Sequence, residues 1–322
     1  MSYGMDTSIG ICFQNSYGTA FTSSMHWISQ LTEDFSLVKE QLISGGMRGI
    51  YDEGAHYEGL NSVEGSIEAE AHPISMGALL SAVLGKPTTV TSGAIFTHTF
   101  LPNTADFDIY AANTPVTVVK HLGDAGSAHL YSDMVGNELA VSCAAGEFLK
   151  VKVGFMGGKY SQLTEIAASY PTGDSLFKWD VASFSVGAAA INNLSDWSMT
   201  LSQGLSNKHT FNGTKTPSRT KRDGFRTLEI SGTLVFDDQT EYQQFVAQSE
   251  REIDVTLKTA TQIQSGYFET FRVQSPKMRY GEFKPVQGSA GQIEVGFSAK
   301  GVYSVSSATA LKMTLINSKS GY

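Results

Sequence analysis

The sequence predicts a mainly β fold of two tandem β-sandwich domains, each flanked by a short α-helix. Three observations support this prediction. One pattern of segments occurs twice, strand-like segments alternate hydrophobic and polar residues, and glycine is abundant, with 32 among 322 residues. Alternation with a period of two is typical of a strand that packs one face on a core and exposes the other. The glycines fit sheets that are joined by turns.

The repeated pattern is strand, long loop, strand, helix and closing strand. The first copy begins at Phe35-Ser-Leu-Val and closes at Val153-Gly-Phe155, and the second begins at Trp197-Ser-Met-Thr-Leu and closes at Val295-Gly-Phe297. A period of about half the chain is too long for a solenoid and suits two whole domains. We therefore predict an N-terminal arm over 1–34, a first domain over 35–170 and a second domain over 171–322.

In the first copy, the strand from Val63 to Ala71 places hydrophobic or small residues at odd positions and polar residues at even positions. The polar residues are Glu64, Ser66, Glu68 and Glu70. A helix is expected from Ile74 to Leu84, with Gly85 as its C-terminal stop.

In the second copy, the strand from Leu228 to Phe236 alternates in the same way, with Glu229, Ser231 and Thr233 on its polar face. A helix is expected from Glu241 to Arg251. The closing strand adds Glu294 to the polar residues. Both copies thus predict a polar sheet face of carboxylates and small hydroxyls.

Charge is distributed unevenly between the two halves. Residues 1–170 contain 7 Lys and Arg against 17 Asp and Glu, and the remainder contains 16 against 14, which gives −10 and +2 and accounts for the net −8. The contrast is sharpest in the matched loops. Acidic residues surround Arg48 in the first loop, namely Asp52, Glu53 and Glu58, whereas the second loop carries Lys215, Arg219, Lys221, Arg222 and Arg226. Such complementarity guides association between unlike faces; two independently solvated loops are the alternative.

The chain shows no arrangement of residues that indicates catalysis. Its histidines lack metal-ligand spacing, Gly154 to Lys159 lacks the spacing of a phosphate loop, and no nucleophile elbow is present. We therefore expect no catalytic residue, cofactor or metal. Cys12 and Cys143 lack a pairing pattern, and a reduced, intracellular state is expected. No apolar run approaches the roughly 20 residues that span a bilayer, and the N-terminus carries no signal-like pattern, so no membrane partner is expected.

Several segments resemble the double-domain tail tube proteins of long-tailed, siphophage-like bacteriophages. They are Glu64-Gly-Ser-Ile-Glu68, Phe96-Thr-His-Thr-Phe100, Gly136 to Cys143, Gly146 to Gly157, Gly224 to Asp238 and Gly291 to Ala299. The resemblance implies a subunit that forms trimeric rings of pseudo-six-fold symmetry, stacked around the tape-measure protein, which later conduct DNA. It also implies the tail terminator and distal tail protein as partners, assembly in the host cytoplasm, and a location in the virion tail.

Two sets of site residues follow as expectations. The polar-face residues are expected to line the lumen: Glu64, Ser66, Glu68, Glu70, Glu229, Ser231, Thr233 and Glu294. The charged loops are expected to contact the next ring: Lys215, Arg219, Lys221, Arg222 and Arg226, with Asp52, Glu53 and Glu58 as acidic partners.

Two other classes of protein remain as alternatives at this point. One is another virion or tail-like structural protein, such as a tail terminator, a capsid decoration protein or a contractile-system tube. The other is a carbohydrate-binding β-sandwich that uses Trp27, Trp179 or Trp197 as a stacking platform. Burial of Trp197 on the core face would argue against the second class.

Overall fold

The computed structural model describes residues 6–46, 49, 51–103, 115–123, 126–171, 175–237, 239–286 and 293–322. Arg48, which the sequence places at the centre of the acidic loop, lies outside the described residues. The fold is mainly β, as predicted.

The first half contains ten strands and one helix. They are β1 (Ser8–Phe13), β2 (His26–Ile28), β3 (Gln30–Glu33), β4 (Ser36–Ile43), β5 (His56–Glu70), α1 (Met76–Leu84), β6 (Thr88–Ser92), β7 (Ile95–Phe100), β8 (Val116–His121), β9 (Ser127–Ala144) and β10 (Lys150–Thr164). The second half contains β11 (Ala182–Val186), β12 (Ala189–Ala190), β13 (Leu194–Ser202), β14 (Leu205–Lys208), β15 (Arg219–Arg222), β16 (Thr227–Val235), α2 (Thr240–Val246), β17 (Arg251–Gln264), β18 (Tyr267–Val286), β19 (Glu294–Gly301) and β20 (Lys312–Asn317).

Eight strands form one continuous antiparallel layer in the order β4-β5-β10-β9-β13-β16-β19-β18. We call it the long layer. Its first four strands come from the first half of the chain and its last four from the second half. The two halves therefore contribute four strands each, in the same spatial sequence.

A second set of strands covers the apolar face of the long layer. The N-terminal part of β9 pairs with β8, and β8 pairs with β1. The N-terminal part of β18 pairs with β17 and β20. The long strands β9 and β18 thus pass from one layer into the other, as corner strands do in sandwiches. Ile9 and Val118 of the cover share one buried cluster with Ile67 and Val153 of the long layer.

The structure gives the duplication a residue-level register. In the first half Gly65 lies opposite Phe155 of Val-Gly-Phe, and in the second half Gly232 lies opposite Phe297 of the matching Val-Gly-Phe. Neither glycine has room for a side chain: a Cβ atom at Gly65 would meet Phe35, and one at Gly232 would meet Asp196 O and Phe297. The strand register gives the equivalence of the two sites. Both copies therefore use the same Gly and Phe positions in the same places.

Both predicted helices are present, but with different bounds. Helix α1 begins two residues later than expected and ends as predicted before Gly85, whose φ of 87° favours glycine. Helix α2 ends at Val246, not at Arg251. Gln248 adopts a φ of 52°, which stops the helix, and Arg251 opens β17.

Strands pair across the boundary predicted at residue 170. β13 pairs with β9, and β20 pairs with β7. The predicted N-terminal arm also contains sheet strands, since β1 pairs with β8 and β3 with β5. The two copies are therefore joined by hydrogen-bonded sheet as well as by the linker.

Candidate assembly surfaces

The eight residues predicted to share a polar face lie on one face of the long layer, which we call the polar face. Glu64, Ser66, Glu68 and Glu70 alternate along β5 with buried residues such as Ile67, and the four residues of β16 and β19 alternate with buried residues such as Leu234. None of the eight is buried. The period-two alternation therefore identified the shared face correctly; the direction in which that face points in an assembly stays a prediction.

A row of hydroxyl groups crosses the polar face at the junction of the two halves. Ser142, Ser198, Ser231 and Ser298 lie opposite one another on four neighbouring strands. The Oγ atoms of Ser198 and Ser231 are 2.8 Å apart and share a hydrogen bond. Small hydroxyls offer no aromatic surface on which a nucleobase stacks.

The polar face of the long layer is mildly acidic. From β5 to β18 it carries eight carboxylates and five basic side chains, a net charge of −3. The carboxylates are Glu64, Glu68, Glu70, Glu138, Asp196, Glu229, Glu282 and Glu294, and the basic residues are Lys150, Lys152, Arg279, Lys284 and Lys300. Lys150 lies opposite Glu70 and binds Glu147 at 2.8 Å, an interaction that raises the pKa of the lysine. Local pairing thus neutralises part of the surface.

The long layer has an open edge at each end. Among the described residues, β4 pairs only with β5, and the segment 279–286 of β18 pairs only with β19. An unpaired edge presents a row of backbone donors and acceptors to any strand that approaches it. Both ends of the layer are therefore competent to bind another strand.

The junction inside the chain shows how such edges pair. β13 lies antiparallel to β9, with Leu201 opposite Leu139 and Ser202 opposite Glu138. In the order across the long layer, β9 is the last strand that the first half contributes, and β13 is the first strand that the second half contributes. This junction supplies a template for an edge contact between chains.

The basic loop predicted for stacking contains a two-stranded hairpin, β14 and β15, which we call the basic hairpin. It lies against the first half of its own chain, where Tyr17 donates a hydrogen bond to Pro217 O at 3.1 Å and Asn61 N donates to Lys215 O at 2.8 Å. The Lys215 ammonium also forms an ion pair with Glu58, which lowers the pKa of that carboxyl. Opposite charges of the two loops therefore meet already within one chain.

Besides Lys215, two more of the five basic residues have intrachain roles. Arg222 donates to Gln203 O at 2.9 Å, and Arg226 donates to Gln203 Oε1 at 2.8 Å and to Asn103 O at 2.8 Å. Burial and the neighbouring Arg222 lower the pKa of Arg226 to about 10. Arg219 and Lys221 are exposed on one side of β15, on either side of the buried Thr220. Those two are the basic residues best placed to reach outward.

The remaining acidic residues of the first loop, Asp52 and Glu53, are exposed. Glu53 Oε2 lies 3.3 Å from His56 Nε2. The structure thus brings Lys215 together with Glu58 but leaves Asp52 and Glu53 apart from the basic hairpin. Their contact with another ring stays a prediction.

Sequence reasoning missed Gln203, which joins the two halves. It is 4% exposed, donates from Nε2 to Val83 O at the end of α1 at 2.7 Å, and accepts from both arginines. The duplication contained a signal for it, because Gln203 follows Trp197 by six residues and Gln41 follows Phe35 by the same spacing.

Tryptophan burial bears on the carbohydrate alternative. Trp27 is 4% exposed and Trp197 5% exposed, so neither ring is accessible to a sugar. Trp179 is 49% exposed and borders a cavity of about 310 Å³ beside Trp197 and Val255. The His98 ring is fully buried and forms hydrogen bonds with Thr89 Oγ1 and with Lys319 O.

Within the described ranges, no three His, Cys, Asp or Glu side chains cluster in a way that would hold a metal ion. No helix in those ranges is both long and apolar enough to cross a membrane.

We compared the chain with known proteins. No curated protein matches the chain. A family profile described as phage tail tube protein matches residues 4–306, nearly the whole length. This is a structural family rather than an enzymatic one. The chain belongs to the phage tail tube protein family and is a structural subunit of the tube in a phage tail.

Proposed function

We propose that this chain is a double-domain tube subunit of a long-tailed phage, three copies of which close a ring. The rings stack around a lumen that holds the tape-measure protein and later conducts DNA. The tail terminator and the distal tail protein bind the two ends of the tube. The pairing of β13 with β9 carries this proposal, because the same pairing is available between chains at the open edges of β4 and β18.

The argument rests on equivalent positions in the two halves. Gly65 and Gly232 are equivalent, so their neighbours Phe35 and Trp197 are equivalent, and β4 corresponds to β13. The Val-Gly-Phe segments make β10 equivalent to β19, so β9 corresponds to β18. Pairing of β4 with β18 of the next chain therefore repeats the internal junction. Closure of the ring removes the exposed edges, as a barrel does.

This equivalence also fixes a register. Ser202 lies opposite Glu138 inside the chain. Glu40 is equivalent to Ser202, because the two residues hold the same position after the equivalent Phe35 and Trp197. Lys284 is equivalent to Glu138, because both lie opposite the glycine of a Val-Gly-Phe segment. The inter-chain junction therefore sets Glu40 opposite Lys284. Opposite charges at directly facing positions stabilise a strand pair by about 0.2–1 kcal/mol, and like charges destabilise it.

A lumen formed by the polar face suits the passage of a polyanion. Its carboxylates repel phosphates, and its serine row provides no stacking platform. In a ring with α1 outside and the polar face inside, the β4–β5 and β13–β16 loops lie on the surfaces that face the adjacent rings. The exposed Arg219 and Lys221 are then the groups that meet an adjacent ring.

A charge exchange tests the ring junction. E40K or K284E alone places like charges opposite each other at every junction, so we expect each single variant to yield folded monomers and few rings. The double variant E40K/K284E restores opposite charges and is expected to recover rings. Native mass spectrometry counts the chains per ring, and electron microscopy detects the tubes.

Circular dichroism of the monomers provides the control for folding. Rings of six chains would refute the two-domain arrangement. Normal rings from both single variants, or no recovery in the double variant, would refute this register.

A further inference from the structure

The two equivalent helices have opposite surroundings. Every residue of α1 is buried, whereas no residue of α2 is buried. Helix α2 packs its inner side on β18, where the ring centroids of Tyr242 and Phe245 lie 6.1 and 6.3 Å from that of Phe283. Its outer side is open, and Val246 is 64% exposed. The difference lies in what covers each helix.

The second half of the same chain covers α1. The segment that follows β13 runs over the C-terminal end of α1, where Gln203 binds Val83 O at 2.7 Å. Tyr322 covers the other end, and its hydroxyl donates to Ile74 O at 2.8 Å. The connection between the first two strands of one unit thus covers the helix of the unit beside it.

The equivalent hairpin of the first half, formed by β4, β5 and their connection, lies at the open edge of the long layer. The adjoining ends of β4 and β5 carry exposed apolar side chains, namely Leu42, Ile43, Tyr57 and Leu60. β4 also carries Gln41 at the position equivalent to Gln203; its side chain is exposed, and its Oε1 atom forms a hydrogen bond with His56 Nδ1 at 3.0 Å. Exposed apolar residues grouped in one hairpin mark an interaction surface.

We propose that the outer face of α2 is a docking site for the β4–β5 hairpin of a second copy of this chain. Gln41 of the incoming hairpin reaches the C-terminal end of α2, as Gln203 reaches that of α1. Ile43, which lies on the same side of β4 as Gln41, contributes apolar cover to Val246. This inference rests on the proposed ring, since the unit next to α2 is the first unit of the neighbouring chain.

Cross-linking between separately produced variants tests the contact. Q41C protein and V246C protein are mixed, assembled and treated with a short bis-maleimide. The native cysteines, Cys12 and Cys143, are both buried and should react little. V90C provides a matched control because Val90 is the same residue type and is also 64% exposed. We expect a covalent dimer from Q41C with V246C and none from Q41C with V90C.

The outcomes separate this inference from the proposed function. Rings that form without a Q41C–V246C product, or with an equal Q41C–V90C product, overturn the docking site and leave the ring intact. Absence of any ring from unmodified protein overturns both. As a second measurement, V246D is expected to lower the yield of rings while V90D leaves it unchanged; an equal yield from both variants also refutes the docking site.

Discussion

At the scale of single residues, the C-terminus holds a group of titratable side chains in a setting that disfavours charge. Lys319 Nζ lies 3.0 Å from His26 Nδ1 and 4.5 Å from the centroid of the Tyr322 ring. Burial lowers the pKa of His26 to about 4, with a further contribution from Lys319, and lowers the pKa of Lys319 to about 8. His26 therefore accepts from Lys319 in its neutral form, and a second positive charge here would break the contact.

This environment predicts loss of stability in mild acid. The unfolded His26 takes up a proton near its ordinary pKa of 6.5, whereas the folded residue does so only near 4. Stability from the neutral ring is thus complete above pH 6.5 and is lost as the pH falls towards 4. Between pH 7 and 5, the wild type should lose about 2 kcal/mol more than H26Q in urea unfolding. Equal losses would show that His26 does not titrate across this transition.

Residue chemistry alone did not separate the two kinds of basic side chain in the basic hairpin. Arg222 and Lys221 are adjacent and carry the same charge, yet Arg222 binds a backbone carbonyl of Gln203 and Lys221 is exposed. Alternation along β15 would have distinguished them had the strand been recognised. β15 has only four residues between turns that contain glycine and proline, and so few residues do not reveal a strand by alternation.

At the scale of elements, alternation predicted which face each long strand presents, because a period of two is fixed by strand geometry. The end of α2 was not predictable in the same way. Arg251 looks compatible with a helix, but its guanidinium binds Glu241 and Val186 O from the start of β17. Contacts distant in sequence thus decided where the helix ends.

The basic hairpin carries a prediction at this scale. R219E/K221E reverses the two exposed charges and avoids Arg222 and Arg226, which bind Gln203. Exposed pairs contribute about 0.2–1 kcal/mol each and are screened by salt, so stacking of rings should depend on several of them. We expect R219E/K221E to form single rings that fail to elongate, and salt to shorten wild-type tubes without unfolding the subunit.

The control for this variant is K86E/K312E, which reverses two exposed lysines outside the basic hairpin. Tube length measured by electron microscopy should match the wild type in the control. If R219E/K221E elongates normally at moderate salt, the basic hairpin is not the axial contact.

At the scale of the whole molecule, the sequence indicated two copies of one unit but not how they join. The pairing of β20 with β7 links residues more than 200 positions apart, and no local pattern encodes such a partner. The pairing of β9 with β13 was equally hidden. The β9–β13 junction joins the two halves into one long layer with a single polar face, and the β20–β7 junction links the strands that cover it.

The direction of that polar face is the last prediction. Glu68 and Thr233 lie on different halves of the long layer but on the same face, and both are partly exposed in the subunit. If the face lines a lumen, E68C and T233C in assembled tubes should react with a small maleimide and be shielded from a maleimide attached to a large polymer. The same variants as monomers should react with both reagents, because the subunit leaves the face open. V90C serves as the outer reference, since β6 pairs with β7 and β7 pairs with the covering strand β20. It should react with both reagents in either state. Equal labelling of E68C and T233C by the bulky reagent in intact tubes would place the polar face outside the tube.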